Sequence, residues 1–339
     1  RSLMIRSYAF TTQGRLHSSD LEPFLMPTLL SDTNLFLWVD MENPTPNEIK
    51  WVLEEIFHFH PLSIEDCIQD SPNPKLEEYT PKQGDTFNPY LFVVLHAVDY
   101  SRQDGVFDTT EMNFFIGKNF IVTFHYGPLK AIDYMADRCE KARALTARTP
   151  DHLAHVLMDA IVDHYTPAVE EMGQEVAMLE NRVLQEQHEE ESELLNEVVN
   201  VRKEVYHLRQ IIMPQKEVLS RLSRPGYKLI RPNLLPYYRD VYDRLLYLND
   251  IATGYTDSLT NILKVYLYLC NNRTEEIIKT LALFTILTTP TLAIGGWYGM
   301  NLTFWEIAEG NPWSPFWVVG LNVVITTIIF IYIRKKKWF

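Results

Sequence analysis

Histidine and carboxylate side chains give this 339-residue sequence its first candidates for chemistry. His152, His155 and Asp159 lie three and four residues apart, so a single helix face would carry all three. Imidazole and carboxylate groups together bind transition metals. The same spacing is also typical of ordinary helix residues, and the nearby His58 and His60 fit an ordinary loop. The second interpretation is favoured, and both stay open here.

Motifs for enzymatic catalysis are missing from the sequence. It contains no glycine-rich phosphate-binding loop, no His-Glu-x-x-His motif, no Cys-x-x-Cys pair and no nucleophile elbow. The isolated cysteines Cys67, Cys139 and Cys270 exclude a disulfide framework and a cysteine-based zinc ribbon. The sequence therefore predicts no catalytic residue, and a soluble enzyme or sensor tethered to a membrane is an alternative without a supporting motif.

Acidic residues are distributed unevenly along the chain. The net charge is −13, and residues 151–200 alone carry thirteen Asp or Glu side chains and one Arg. This charge argues against nucleic acid as a partner, because phosphate binding needs a basic surface. Apolar residues recur in the block at helical spacing, which predicts helices with one strongly acidic face. That face is either a solubilising surface or an electrostatic counterpart of the basic residues 334–337.

Two long uncharged runs near the C-terminus predict membrane helices. Residues 280–305 and 310–333 contain no charged side chain, and a helix needs about 20 apolar residues to span a bilayer. The alternative is a pair of buried helices in a soluble core. The connection carries Glu306 and Glu309, whereas basic residues follow the second run. By the positive-inside rule, both the C-terminus and the long N-terminal part are expected in the cytoplasm.

The N-terminal part is predicted to be an α+β domain with a mixed sheet flanked by helices. Its last helical pattern has no strong stop, and about 65 residues at 1.5 Å each would form a rod near 100 Å long. Such a rod cannot bury its apolar stripe alone, so self-association is expected. Strands are predicted at residues 4–10, 35–39, 90–98, 112–116 and 120–124. Helices are predicted at 45–57, 62–69, 129–146, 150–187, 192–223 and 235–298.

These patterns divide the chain into six segments. Residues 1–233 are the cytoplasmic α/β and helical domain, and residues 234–276 are a stalk formed by the long helix. Residues 277–301 are the first transmembrane helix and residues 302–314 a short outer loop. The second transmembrane helix is predicted at 315–333, and the basic cytoplasmic tail at 334–339.

The end of the first uncharged run carries the most specific motif. Tyr298, Gly299, Met300 and Asn301 stand at the outer end of the first of two C-terminal spans, before a short acidic loop, a second span and a basic tail. In this position the motif resembles that of the CorA family of magnesium transporters. Residues 39–40, 60–67 and 237–243 also resemble the family, and the resemblance covers nearly the whole chain in the same order.

The resemblance implies a homopentamer in the bacterial inner membrane, in contact with lipid. The α/β domains and long helices would form a cytoplasmic funnel, and the first span of each subunit would line a central pore. Gly299, Met300 and Asn301 would form the outer selectivity filter. Mg²⁺ dehydrates reluctantly, and an amide oxygen can accept hydrogen bonds from its bound waters. Alternatively, Asn301 is a helix C-cap, and Gly295 with Gly299 is a helix-packing pair.

One face of the same helix would then also line the pore. Steps of three and four residues connect its members, and two of them, Ile278 and Leu281, would form apolar rings that gate by excluding water. The alternative is that these two side chains are merely packed apolar residues. The predicted pore-lining residues are Glu275, Ile278, Leu281, Thr285, Thr289 and Leu292.

The resemblance also implies a regulatory metal site between subunits. Its acidic ligands match Glu65, Asp66 and Asp240, and Asp159 and Asp163 are further candidates. Carboxylate oxygens suit a hard cation such as Mg²⁺. Without the cation, like charges would face each other across subunits and push the domains apart. The alternative for each residue is a solvated surface acid.

Two departures from the family pattern concern the inner mouth of the pore. Glu275 stands where many relatives have an Asn, and Lys264 where relatives often have an acidic residue. A carboxylate ring at Glu275 would concentrate cations. The predicted function is magnesium influx, with cobalt or nickel as further cargo. The alternative is a transition-metal transporter of the same superfamily, for zinc, cobalt, nickel or cadmium.

Overall fold

The computed structural model describes residues 5–69, 73–82, 85–99, 108–142, 147–184, 191–299 and 314–335. The chain divides into two compact units, Arg1–Ile262 and Leu263–Phe339. The boundary between the units falls inside one long helix, α8 (Leu235–Gly299).

A seven-stranded mixed sheet forms the centre of the first unit. Its order is β2-β1-β3-β7-β6-β5-β4. Strands β3 and β7 pair in parallel, and the other neighbouring pairs are antiparallel. The strands are β1 (Ile5–Thr11), β2 (Leu16–Ser19), β3 (Leu35–Glu42), β4 (Lys75–Tyr79), β5 (Tyr90–Asp99), β6 (Asp108–Gly117) and β7 (Phe120–His125).

The central strands are buried because helices cover both faces of the sheet. All six residues of β7 are buried. One face packs against the short helices α1 (Met26–Leu30), α2 (Pro46–Ile49) and α3 (Pro61–Ile68) in a core rich in aromatic side chains. The alternate residues point to the other face, where α5 (Pro150–Asp163) lies against β6 and β7.

The predicted helix at 45–57 is two different helical segments. Helix α2 begins with a capping box, in which Glu48 accepts a 2.7 Å hydrogen bond from the Thr45 N–H and its own N–H donates to Thr45 Oγ1. A π-helical segment, Lys50–Ile56, then continues the chain. At its end the Phe57 N–H donates to the Val52 carbonyl, five residues earlier.

The helix predicted at 150–187 is also divided. The structure has α5 followed by α6 (Tyr165–Leu184), with the interruption at His164. Pro167 explains this break, because a proline has no N–H for the carbonyl four residues earlier and is tolerated only in the first turn of a helix. The preceding helix, α4 (Lys130–Ala142), agrees with the expectation for 129–146 over the residues that the structure describes.

A buried polar link fixes α6 and α7 (Glu191–Leu222) to strand β5. The Tyr165 hydroxyl donates to the His96 carbonyl at 2.6 Å and accepts from Gln215 Nε2 at 2.6 Å. Gln215 Oε1 in turn accepts from the His96 N–H at 3.2 Å. These three residues satisfy one another, so the interior can hold polar groups at this point.

The long helical pattern predicted from 235 to 298 is confirmed. Helix α8 has 65 residues and includes Pro290, and a second apolar helix, α9, follows at Ser314–Lys335. The predicted fold class is confirmed as well, because a mixed sheet with flanking helices precedes one long helix.

Candidate pore helix and acidic sites

The second unit exposes the helix face that the sequence assigns to the pore. The predicted pore-lining side chains all lie exposed, and the apolar Ile278, Leu281 and Leu292 are 59%, 63% and 72% exposed. Apolar surface of this size needs a cover, either lipid or further protein. The six exposed residues are Glu275, Ile278, Leu281, Thr285, Thr289 and Leu292.

The composition of this helix suits a membrane. In the part of the chain that the structure describes, the helix ending at Trp297 is long and apolar enough to cross a bilayer, and its most apolar stretch is not buried by the rest of the chain. At the inner end of the predicted span, Glu275 Oε2 lies 3.8 Å from Lys279 Nζ, one turn away. The carboxylate at the predicted inner mouth therefore has a cationic neighbour on its own helix.

Threonine side chains follow the helix around Pro290. Thr289 Oγ1 donates to the Thr285 carbonyl at 2.6 Å, and Thr288 Oγ1 donates to the Phe284 carbonyl at 2.9 Å. Pro290 instead removes the N–H partner of the Ile286 carbonyl, four residues before it. The threonines thus bond carbonyls in the turn that precedes the proline, and they do not replace the bond that the proline removes.

One polar contact joins α8 to α9, and sequence analysis missed it. Thr291 Oγ1 donates to Asn322 Oδ1 at 3.3 Å, and Thr326 Oγ1 lies 3.4 Å from the same oxygen. Such hydrogen bonds between apolar helices add to packing in a membrane. The signal was available, because Asn322 is an amide inside a 24-residue uncharged run.

The predicted filter is described at its first residue. Gly299 is the last residue of α8, whereas Met300 and Asn301 lie outside the described residues. At Gly295, an added Cβ would meet no atom of the described chain within 4 Å. Among the described residues, Gly295 therefore has no packing partner.

In the first unit, the structure brings three of the predicted regulatory acids around one arginine. Arg244 Nη1 lies 3.0 Å from Asp159 Oδ1 and also contacts Asp163, and Arg244 Nη2 lies 3.2 Å from Asp240 Oδ2. Burial raises the pKa of Asp159; Arg244 opposes this effect, and the neighbouring Asp163 adds to it. The cluster therefore joins α5 to α8, with one cation shared among three carboxylates.

The other two predicted acids lie on α3. Asp66 Oδ2 pairs with Lys75 Nζ at 2.6 Å, and Glu65 Oε1 accepts a hydrogen bond from Gln69 Nε2 at 3.0 Å. Glu65 also lines an open cavity of about 730 Å³. No bond or ion pair joins these acids to the Arg244 cluster among the described residues. Sequence analysis missed both basic partners, Lys75 and Arg244.

The carboxylates are chemically suited to Mg²⁺, but the described residues do not gather them into one metal-binding group. Across the described ranges, no group of three or more His, Cys, Asp or Glu side chains is placed to hold a metal ion. Oxygen ligands are nonetheless the type that Mg²⁺ prefers.

The histidines weighed as transition-metal ligands have ordinary contacts. His155 is buried against the rings of Tyr237 and Tyr238, and burial lowers the pKa of both His152 and His155. His60 Nδ1 accepts a hydrogen bond from the Leu62 N–H at the start of α3. These contacts favour a packing role.

Asp40 lies in one of the stretches that resemble the family, residues 39–40, and it belongs to a buried charge network. Asp40 Oδ2 accepts hydrogen bonds from Arg6 Nε at 3.1 Å and from Arg6 Nη2 at 2.8 Å, and Asp40 Oδ1 accepts from Thr123 Oγ1 at 2.6 Å. His125 Nε2 lies 3.3 Å from Asp40 Oδ1 outside hydrogen-bond geometry, so this contact is electrostatic. The network links β1, β3 and β7.

Comparisons with known proteins agree on one family. The sequence model described as "CorA-like Mg2+ transporter protein" matches residues 34–335. The cobalt/magnesium transport protein CorA of Thermotoga maritima is 27% identical over 98% of this chain and 91% of its own length. The corresponding protein of Methanocaldococcus jannaschii is 24% identical over 99% of this chain and 100% of its own.

Solved structures show the same fold. The complete structure of the CorA magnesium transporter from Methanocaldococcus jannaschii superimposes with a TM-score of 0.79 at 20% identity, covering 100% of both chains. The full-length CmaX protein superimposes with a TM-score of 0.75 at 14% identity, covering 97% of both chains. The chain therefore belongs to the family of CorA-like Mg²⁺ transporter proteins, whose members transport divalent cations and are not enzymes.

Proposed function

We propose that this chain forms a homopentameric channel that carries Mg²⁺ into the bacterial cytoplasm through the inner membrane, with Co²⁺ or Ni²⁺ as further cargo. The observation that carries the proposal is the exposed face of α8 around Ile278, Leu281 and Leu292. Its apolar side chains have no cover within the described chain. Five copies around an axis would enclose this face, and lipid would surround α9.

In this arrangement, Gly299, Met300 and Asn301 form the outer filter. Five amide groups at Asn301 would accept hydrogen bonds from the water shell of Mg²⁺. An ion that keeps its first water shell avoids the large cost of dehydration. Gly299 allows the backbone to approach the axis, because it has no Cβ.

Below the filter, one apolar ring would be followed by two threonine rings and then by two apolar rings. Thr285 and Thr289 present hydroxyl oxygens, whose hydrogens are already donated to carbonyls of the same helix. Ile278 and Leu281 would form the gate by excluding water. Glu275 would concentrate cations at the inner mouth, and the positive charge of the neighbouring Lys279 would reduce this attraction.

The regulatory site would lie between the cytoplasmic domains of neighbouring subunits. Its proposed ligands are Glu65, Asp66 and Asp240, with Asp159 and Asp163 as further members. In a single chain, Arg244 and Lys75 already hold most of these acids. A bound divalent cation supplies additional positive charge there. The chain's own part is to hold Asp159, Asp163 and Asp240 near one another despite their mutual repulsion.

Membrane topology follows from the basic residues. Both termini would lie in the cytoplasm, because Arg334 and the following lysines end the second span. Cysteine accessibility at residues added to either terminus, measured in intact cells, tests this orientation.

Transport by purified protein in liposomes tests the proposal. Wild type is expected to carry Mg²⁺ inward more slowly when internal Mg²⁺ is high. Asn301→Ala is expected to abolish selective uptake while the pentamer remains intact by size-exclusion chromatography. Unchanged Mg²⁺ uptake by Asn301→Ala would refute the filter, and a monomer or dimer in the wild type would refute the pore.

Transition-metal transport is the second candidate, because Glu275 departs from the Asn of many relatives and its carboxylate would coordinate a cation directly at the inner mouth. The same liposomes, supplied in turn with Zn²⁺, Co²⁺, Ni²⁺, Cd²⁺ and Mg²⁺, separate the two proposals. Uptake of Zn²⁺ without Mg²⁺ would establish the second. Glu275→Asn, with Glu276→Asn as the neighbouring control, then shows whether the inner-mouth carboxylate sets the preference.

A further inference from the structure

We propose that a basic cavity in the first unit binds the phosphate group of a small phosphate ester. The cavity measures about 380 Å³, and small-molecule pockets begin at about 300 Å³. It lies where the turn between β6 and β7, the start of β3, the start of α5 and the segment before α8 meet. Its basic side chains are Lys118, Arg148 and Arg231.

The charge of the cavity is positive. No aspartate or glutamate is among the described residues that line it. Lys118 and Arg148 form no ion pair with another described residue, whereas Arg231 Nε lies 3.9 Å from the buried Asp151 Oδ2. Asp151 thus offsets part of the charge of Arg231 and of the start of α5. Two cations remain to attract an anion.

A second, larger cavity of the same unit is lined by residues of the opposite charge. That cavity of about 730 Å³ is lined by Glu54, Glu65 and Asp85 and by no described lysine or arginine. Two cavities of one domain therefore carry opposite charge. If the net negative charge of the chain were spread evenly over its surface, both cavities would be acidic. The basic cavity is therefore a local feature.

The remaining lining indicates an organic anion rather than a bare ion. Phe36 and Leu229 provide an apolar wall, and Thr12 and Thr33 provide hydroxyl groups. Guanidinium and ammonium groups bind phosphate through charge-assisted hydrogen bonds. The volume and the apolar wall suit a phosphate ester of about the size of a nucleoside monophosphate.

The position gives such a ligand a route to regulation. Leu229 and Arg231 belong to the segment just before the 3₁₀ turn Pro232–Leu234, after which α8 begins. A bound phosphate would tie this segment to the sheet through Lys118 at the β6–β7 turn. The inference does not depend on which cation the chain transports.

Binding of AMP to the full-length protein in detergent, measured by isothermal titration calorimetry at fixed free Mg²⁺, tests the inference. AMP is chosen because its single phosphate competes weakly for Mg²⁺. Wild type is expected to bind one AMP per chain, and inorganic phosphate is expected to compete. Lys118→Glu and Arg148→Glu should each weaken binding by about tenfold or more, since each removes a charge-assisted bond.

Lys203→Glu is the matched control, because Lys203 is exposed on α7 with no ion pair among the described residues. It should leave AMP binding unchanged. If a charge reversal impairs folding, Arg148→Met provides the same test without the added negative charge. Absence of AMP binding, lack of competition by phosphate, or equal loss in Lys203→Glu would each overturn the inference.

Discussion

Asp40 and His125 are fully buried in the sheet, and each changes the pKa of the other. Burial alone would raise the pKa of Asp40, but His125 and Arg6 outweigh it and lower that pKa. Burial alone would lower the pKa of His125, but Asp40 outweighs it and raises that pKa. The pair therefore stays charged over a wider range of pH than either group would alone, and it stabilises the junction of β3 and β7.

We expect His125→Gln to remove a pH-dependent part of the stability. A raised histidine pKa contributes stability below its unfolded value of about 6.5, and the contribution is lost as pH rises through the folded pKa. In wild type, the unfolding temperature should therefore fall as pH rises above about 6.5, whereas in His125→Gln this decrease should be smaller. Circular dichroism melting between pH 6 and 9 measures the difference. Parallel pH profiles would contradict the assignment.

Arg244 belongs to the same scale, because its single guanidinium contacts three acids. Under the proposed regulation, Arg244 competes with the divalent cation for Asp159, Asp163 and Asp240. Arg244→Gln should therefore lower the Mg²⁺ concentration that half-inhibits uptake by about threefold, a change that corresponds to the energy of one partly exposed ion pair. Arg239→Gln, five residues away on the same helix and exposed with no ion pair among the described residues, is the control. A higher half-inhibiting concentration in Arg244→Gln would contradict the competition.

At the scale of elements, Tyr165 shows how the acidic helices are held. Its hydroxyl is fully buried and has one partner on β5 and one on α7. Tyr165→Phe leaves the His96 carbonyl and the Gln215 amide without these bonds. We expect it to lower the free energy of unfolding by about 1–3 kcal/mol, the cost of unsatisfied buried groups.

Urea unfolding followed by far-ultraviolet circular dichroism measures this loss. Tyr206→Phe is the control, because Tyr206 is exposed on α7 and its substitution removes a hydroxyl of the same kind. Equal stability of Tyr165→Phe and wild type would show that the three-residue link adds nothing to the packing of α6 and α7.

Elements with strong periodicity could be predicted from the sequence, and elements set by tertiary contacts could not. Strands β3, β5, β6 and β7 are apolar or alternating runs, and their expected ranges lie inside the observed ones. Strand β4 was missed because Lys75, Glu77 and Glu78 give it a polar composition that is typical of a loop. The break at His164 was missed because Pro167 was not weighed against the apolar repeat on both sides.

The candidate sites show the same division. The six predicted pore-lining residues follow from helical periodicity, which needs no knowledge of contacts, and all six side chains are exposed in the structure. The basic partners of the acids could not be predicted, since Arg244 lies 85 residues from Asp159 in the chain. Which charges neutralise each other depends on the packing of α5 against α8.

At the scale of the whole molecule, the proposed regulatory cation should stabilise the assembly. A ligand that binds only the folded pentamer raises its stability by mass action. Removing Mg²⁺ with a chelator should therefore lower the unfolding temperature of the wild type. The decrease should be about 2–4 °C for each kcal/mol by which the free energy of unfolding of the first unit falls. Differential scanning fluorimetry with and without chelator measures the shift.

Asp240→Asn should reduce this shift, and Asp243→Asn is the matched control on the exposed surface of the same helix. Equal shifts in wild type and Asp240→Asn would remove Asp240 from the regulatory site. If the chelator leaves the unfolding temperature of the wild type unchanged, the proposal of a cation-stabilised pentamer is refuted.

Strand β4, at one edge of the sheet, has a consequence for such an assembly. Crowding five sheets together invites edge-to-edge polymerisation, as in fibrils, whenever the last strand is flat and apolar. Strand β4 instead carries Lys75, Glu77 and Glu78, and Lys75 bridges to Glu77 at 3.2 Å and to Asp66 on α3. A strand of another domain that paired with β4 would have to remove water from these charges. The charged edge therefore allows neighbouring domains to be in contact without forming a continuous sheet.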